Sequence, residues 1–316
     1  ERYRLDAVTE GANTLLDFSH DLNNRLTSLT YFNGISSSFT YNENDHPTQI
    51  SHGAFWTGNY AYDGNDNRVH LERVHRPTTS ETYSYDGLDR LSDYKVGTMN
   101  GSKQIPSPTN NGIYTLDPVG NRLTFDDNGS LNSYTANNVN AYTLSAGLNP
   151  THDNNGNQTF DGNQYYFYDT ENRVTKVSSD AAGLNPLGEY AYDPLGRRIS
   201  KVAGGTSTDY YYDGFRVIED RSGGTTNTYV YGNGLDEVLE SSLAGTSYYY
   251  HHDALGSIVS LSNGAGAVVE QYEYDAYGNA TFYNSSFTNI GSSGVGNTYL
   301  FTGRNWDNES NLYYYR

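Results

Sequence analysis

The residues of this chain that could do chemistry are carboxylates beside arginines, and they come in a repeating phrase. Tyr190-Ala191-Tyr192-Asp193-Pro194-Leu195-Gly196-Arg197-Arg198-Ile199 states it in full. A cation a few residues from an aspartate lowers the carboxyl pKa and holds the group in place, which is the material of acid–base work. The same pairing recurs in Asp21 with Arg25, Asp63 with Arg68, Asp86 with Arg90, Asp117 with Arg122, Asp169 with Arg173 and Asp193 with Arg198. An active site is local. A pairing repeated down the chain reads instead as a structural brace, a cross-strand ion pair on a sheet.

Other candidate sites are few. His251-His252-Asp253 has metal-ligand chemistry, but neighbouring residues of a strand point to opposite faces, so the two imidazoles would need a bulge to share an ion. Asp63–Asn67, Asp126–Gly129 and Asp153–Asn157 offer oxygen ligands suited to Ca²⁺. None has the closing glutamate of a calcium loop, and turn chemistry accounts for the same residues without an ion. There is no Gly-x-Ser-x-Gly elbow, no His-Glu-x-x-His and no phosphate loop ending in Gly-Lys-Ser/Thr. No catalytic residue, metal site or cofactor is expected.

The elements that carry these residues follow from the phrase itself. Asp, Pro and Gly at the first, second and fourth places suit a type I turn: Asp bonds back to the backbone, Pro presets φ and Gly relieves the exit. Gly120, Gly196, Gly256 and Gly278 hold that fourth place. Tyr190 and Tyr192 share one face of an extended segment, and Ile199 to Val202 again has strand composition. The unit is strand, turn, strand. The turn positions 21, 42, 63 and 86 lie 21 to 23 residues apart, a period that marks a repeat array whose units lean on their neighbours. Further turns fall at Asp117, Asp169, Asp193, Asp213, Asp253 and Asp275, and residues 97–112, rich in Gly, Ser, Asn and Pro, read as a spacing loop. After several turns the apolar residues fall three apart, as in Leu26 and Leu29 or Val174 and Val177. A bulge or sharp twist after the arginine would restore a common face. No stretch holds helical periodicity. The expected fold is all-β, with repeated hairpins forming a long, strongly curved antiparallel sheet and little or no helix.

Composition agrees with a thin-walled, ordered protein. Mean hydropathy is −0.74, yet 32 Tyr and 11 Phe supply ring surface for a core in place of scarce aliphatics. The net charge of −18 makes nucleic acid and anionic membrane poor partners. With no Cys there is no disulfide framework, and no apolar run is long enough to span a membrane. The start at Glu1 and the stop inside a Tyr-rich run read as a piece of something longer, with Tyr3 and Leu5 the tail of an earlier unit. Sequons such as Asn128-Gly129-Ser130 and Asn284-Ser285-Ser286 matter only in a source that glycosylates them.

The recurring Tyr-Asp to Gly/Asn-Arg phrase resembles the YD repeat of the rearrangement-hotspot (Rhs) and teneurin-like proteins. His252-Asp253-Ala254-Leu255-Gly256-Ser257, Tyr274-Asp275-Ala276-Tyr277-Gly278-Asn279, Phe301-Thr302-Gly303-Arg304 and Leu312-Tyr313-Tyr314-Tyr315-Arg316 resemble, in order, that family's C-terminal core. The resemblance covers essentially the whole chain. It implies residues 1–247 as the repeat array and 248–316 as a core segment continuous with the same sheet. It also implies a hollow β-shell, secreted or at the cell surface, which in bacterial members often encloses a C-terminal toxin released by self-cleavage. The chain stops before the Asp-Pro-Gly-type cleavage motif and carries Asn311 where the family's Gly precedes Leu-Tyr-Tyr-Tyr, a fair replacement because Asn tolerates positive φ.

The leading expectation is therefore a non-enzymatic wall segment whose partner is a C-terminal cargo domain of its precursor. The alternative is a filament-forming or adhesive surface protein, associating through its sheet edges or stacking exposed tyrosines on glycans. A self-cleaving or polysaccharide-active enzyme is the reading the residues favour least.

Overall fold

The computed structural model describes residues 4–315; Tyr3 and Arg316 lie outside the described residues. Among these the fold is all-β. Thirteen strands, from Ala7–Glu10 to Tyr142–Ser145, each pair with the next in one antiparallel sheet, and fourteen, from Thr151–His152 to Ala280–Asn284, do so in a second. Asn305–Asp307 and Leu312–Tyr314 make a separate hairpin. Helix is confined to two 3-10 turns, Pro77–Thr79 and Phe301–Gly303. Residues 97–112 are not wholly loop: Asn110–Leu116 is a strand paired to Leu91–Gly97, because its backbone continues the ladder past the Gly/Ser/Pro excursion.

The hairpins of the Tyr-Asp phrase share one turn. The Gly196 N–H donates to the Asp193 carbonyl (3.0 Å) and the Asp193 N–H to the Arg197 carbonyl (2.9 Å), with Gly196 at φ +82°. This is a type I turn followed by a left-handed residue, the favoured hairpin link of this length. Asn24, Asp45, Asp89 and Asn172 take the left-handed place in other repeats, at φ between 59° and 68°. Asp213 is different. It ends the strand Thr206–Asp213 opposite Arg216, and the link is only Gly214 and Phe215.

The three-residue spacing of apolar side chains has the cause the sequence pointed to. Register shifts between Ser19 and His20 opposite Leu26 and Ser28, so Thr27 is the extra residue of a bulge. Ser92 and Thr175 stand in the same place in later hairpins. Their hydroxyls donate to carbonyls of the facing strand: Thr27 to Ser19 at 3.1 Å, Ser92 to Ser84 at 3.1 Å, Thr175 to Phe167 at 3.3 Å. A bulge loosens one ladder bond, and the hydroxyl takes up the acceptor.

The chain divides into two compact units. Residues 59–191 with 201–205 form one, in which stacked rings do the work of a core. Tyr94, Tyr114 and Phe125 lie with centroids 6.3 and 4.7 Å apart, and Gly112 leaves room for them, since a Cβ there would come within 2.3 Å of the Tyr94 ring. Residues 1–58, 192–200 and 206–316 form the other. Here the first hairpins lie on much later ones: Leu16, Phe18, Leu29, Tyr31 and Ile35 share a core with Leu239 and Tyr249. The Tyr31 hydroxyl donates to the Tyr250 carbonyl (2.7 Å), and Asn33 Nδ2 to the Asn263 carbonyl (2.9 Å). A second core in the same unit gathers Tyr250, Ile258, Leu261, Tyr272, Phe282 and Leu300.

Candidate functional site

The aspartates of the phrase are turn anchors. One oxygen of Asp86 accepts the N–H groups of Leu88 (2.9 Å) and Arg90 (3.1 Å), while the other takes Arg90 Nε at 2.7 Å. Asp21, Asp169 and Asp193 repeat the arrangement with Arg25, Arg173 and Arg197. Asp253 and Asp275 accept the same two backbone N–H groups. The Arg90 guanidinium, followed by the Leu88 N–H, holds the Asp86 carboxyl down at about 2. A carboxylate so occupied is no general base.

The expected brace across strands is corrected in two ways. The ion pair lies within one turn, between Asp and the residue four later. Where that residue is Asn, it serves the same end: Asn67 bonds Asp63 (3.2 Å) and Asn121 bonds Asp117 (2.8 Å). Arg68, Arg122 and Arg198 are one residue further on, where the strand has begun and the side chain lies on the sheet face among rings. Arg68 lies over Tyr83 at 4.7 Å and Arg122 over Tyr114 at 4.8 Å. Arg198 belongs to a different pair, with Asp307.

Each turn is also tied to the next. Arg25 Nη1 donates to the Asn42 carbonyl (3.1 Å) and to Asp45 Oδ1 (3.0 Å), and its guanidinium lies 5.1 Å from the Tyr41 ring. Asn67 reaches Asp89 (2.8 Å), and Asn157 reaches Asn172 (2.8 Å). In several repeats the tyrosine before the turn completes the link by donating back to the preceding hairpin. Tyr41 bonds the Leu26 carbonyl, Tyr85 that of Arg68, Tyr212 that of Arg198 and Tyr274 that of Ile258, all at 2.6 to 2.8 Å. Burial pushes the Tyr41 phenol up to about 12, so it stays a donor. These staples give the tyrosine hydroxyl a task that Phe could not perform, a role the sequence alone did not reveal.

The one place where the repeats converge on something else is the closing segment, Leu300–Tyr315, which runs as a strap over the row of turns. Thr302 N–H donates to Ser257 Oγ (3.1 Å), Arg304 pairs with Asp236 (3.0 Å), and the Tyr313 hydroxyl donates to the Gly278 carbonyl (2.8 Å). Phe301 packs where a Cβ on Gly278 would lie, 2.5 Å from its ring. At the far end Arg198 meets Asp307 through two bonds, 2.5 and 3.1 Å, and lies 4.4 Å from the Tyr314 ring. Both charged side chains are buried. Asn311 takes φ +55°, as its place before the closing run requires. Upstream, the loop after Ala280–Asn284 is held by the buried Glu270, which accepts from Ser293 Oγ, Gly294 N–H and Val295 N–H at 2.6 to 3.0 Å.

His251 and His252 do not share an ion. His251 is buried, 5.1 Å from His52 ring to ring and bonded through Nε2 to Ser262 Oγ (2.9 Å). His52 donates from Nε2 to the His252 carbonyl (2.9 Å) and accepts at Nδ1 from Ser37 (2.6 Å). Burial drives His251 well below its usual range, and likewise His252 to about 3. Both rings are neutral. Among the described residues no group of three His, Asp or Glu is arranged for a metal, and no helix is long and apolar enough to cross a membrane.

A family model described as teneurin YD-shell matches residues 72–291. The tRNA3(Ser)-specific nuclease WapA of Bacillus spizizenii is 30% identical over 88% of this chain and 13% of that protein. The tRNA nuclease WapA of Bacillus subtilis is 30% identical over the same share of the chain and 14% of its own length. Teneurin-3 of Mus musculus is 27% identical over 38% of the chain. Among solved structures, TcdB2-TccC3 superposes with a TM-score of 0.70 at 17% identity, over 99% of this chain and 18% of that one. The Photorhabdus luminescens Tc holotoxin pore gives the same score over 96% of the chain. The chain thus spans less than a fifth of the length of these relatives.

Proposed function

The chain belongs to the teneurin YD-shell family, and on that premise we propose that it is a non-enzymatic wall segment of an extracellular β-shell that encloses or presents a polypeptide cargo. The observation that carries this reading is the strap. A segment that follows the last strand of the sheet and is bonded to Ser257, Asp236, Gly278 and Arg198 would give any polypeptide after it a fixed exit. A container needs that fixed exit for whatever it holds. Residues 248–316 are then the part of the wall next to the cargo. The nuclease activity in the names of the WapA relatives would belong to other parts of those much longer proteins, and the anchored turn carboxylates here support a wall rather than a catalyst. The aspartates and glycines of the turns, with the arginines beside them, act as its rivets. The experiment is protease protection of a reporter domain fused after residue 316 in the full-length product. Protection that is lost when the wall is unfolded supports the reading; cleavage of the reporter at the rate of the free domain overturns it.

A second reading, self-association at a surface, draws on one feature. Leu195, Phe215, Leu235, Leu255 and Tyr277 stand exposed at successive turn tips, a row of apolar side chains of the sort that marks contact surfaces. Sedimentation velocity across a wide concentration range separates the two: a concentration-dependent filament favours association, a single discrete particle the container.

A further inference from the structure

Within the unit formed by residues 1–58, 192–200 and 206–316 lies a cavity of about 300 Å³ that the shell reading leaves without a task. Leu29, Phe39, Ile50 and Leu239 give it apolar walls, while Glu237, Asp236, Asp253, His52 and His252 supply polar ones; Asp236 is paired with Arg304, and Asp253 accepts the N–H groups of its own turn. No Lys or Arg lines it. Glu237 accepts one hydrogen bond, from the Gly234 N–H at 2.7 Å, and has no ion-pair partner among the described residues. Burial raises its carboxyl above the usual range against the smaller opposing pull of the Gly234 N–H and the Arg216 charge, the mark of a negative charge only partly compensated. The Nε2 atom of His252 is shut off from solvent with no hydrogen-bond partner, and the ring is neutral, so with its proton on Nδ1 that atom offers a second acceptor.

Apolar walls with one carboxylate that lacks an ion-pair partner define the chemistry of an occupant. It must carry hydrocarbon to cover the leucine, isoleucine and phenylalanine side chains, and a positive charge that donates hydrogen bonds. We propose that this cavity binds an organic ammonium ion with an apolar tail, the tail against Leu29, Phe39, Ile50 and Leu239 and the ammonium on the Glu237 carboxylate. A free amine and the lysine side chain of a polypeptide present the same chemistry. An anion would meet Glu237 with like charge, and a neutral molecule would leave it unpaired.

Calorimetric titration tests this with phenethylammonium, phenethyl alcohol and hydrocinnamate, which share a ring and differ in charge. The ammonium binds, the alcohol binds at least about tenfold more weakly, and the carboxylate gives no signal. Glu237→Gln keeps an acceptor for Gly234 and so preserves the turn; it removes the advantage of the ammonium while leaving the alcohol's affinity unchanged. Ile50→Trp fills the space and removes binding of both, with an unchanged thermal midpoint showing that the fold persists. Nα-acetyl-lysine methylamide distinguishes the sources: binding as tight as phenethylammonium identifies a polypeptide side chain, and its failure to bind identifies a free amine. Equal affinity for ammonium and alcohol, indifference to Glu237→Gln, or no binding by any of the three aromatic probes overturns the proposal.

Discussion

Arg198 and Asp307 stand 109 residues apart in sequence and meet through two hydrogen bonds with both side chains at 5% exposure or less. This pair ties the closing strap directly to a repeat. Arg198 starts a strand immediately after a Tyr-Asp turn, and its backbone N–H also donates to the Tyr314 hydroxyl at 2.9 Å. The strap is therefore clamped by a charge pair, a backbone bond and a stacked ring at a single residue.

Removing one partner of this pair leaves the other charged and buried. Asp307→Ala should lower unfolding free energy by about 3–5 kcal/mol, measured by urea denaturation, and should expose the strap to limited proteolysis before the rest of the chain. The double substitution Arg198→Met with Asp307→Leu should recover most of that loss. A single variant as stable as the parent would show that the pair does not hold the strap.

The staple from each tyrosine to the preceding hairpin predicts a small, repeatable cost. Tyr85→Phe and Tyr274→Phe each leave one carbonyl, of Arg68 and of Ile258, without its phenol donor. Each should cost about 1 kcal/mol, and hydrogen exchange should quicken in the hairpin before the substituted tyrosine. Quickening confined to the substituted hairpin itself would count against the staple.

Two turn glycines separate backbone strain from packing. Gly120 and Gly278 have nearly the same φ, 97° and 90°, but a Cβ on Gly120 meets only the end of Arg90 at 4.0 Å, whereas one on Gly278 meets the Phe301 ring at 2.5 Å. Gly120→Ala should cost about 1–2 kcal/mol from conformation alone. Gly278→Ala should cost more and release the strap as well, visible as a change in Phe301 and Tyr313 ring resonances. Equal costs and undisturbed rings would separate the strap from the turn.

How much of this could be read in the sequence depended on distance along the chain. The Asp-to-Gly turn is a matter of four adjacent residues, and the bulge leaves its trace in the spacing of Leu26 and Leu29, so both were legible. Arg197-Arg198 was not, because two adjacent cations offer themselves to Asp193 and only the onset of the strand decides between them. Asp307 carried no signal that it would meet Arg198. The tyrosine hydroxyls needed the register between hairpins, and the apposition of His52 with His251 needed the first hairpins to fold onto much later ones, which no local pattern encodes.

That apposition gives a pH dependence. His251 and His252 are held neutral by burial, with folded pKa values below the ordinary 6.5. An unfolded chain binds those protons more readily, so stability is complete above pH 6.5 and falls as pH drops below it. The slope should approach about 1.4 kcal/mol per pH unit for each histidine. The turn aspartates, whose pKa values are depressed, lose their contribution only at lower pH, below the ordinary 3.8 of Asp21, Asp86 and Asp117. Urea midpoints between pH 7.5 and 5 should therefore fall in the parent, with a shallower fall in His251→Phe. Identical slopes would assign the acid sensitivity elsewhere.

The most direct test of the wall-segment account is electron microscopy of the full-length product, with and without Asp307→Ala. Discrete hollow particles should appear with internal density that continues from the strap, and the substitution should displace that density while leaving the wall in place. Solid particles, or open sheets joined end to end with no enclosed density, would contradict it.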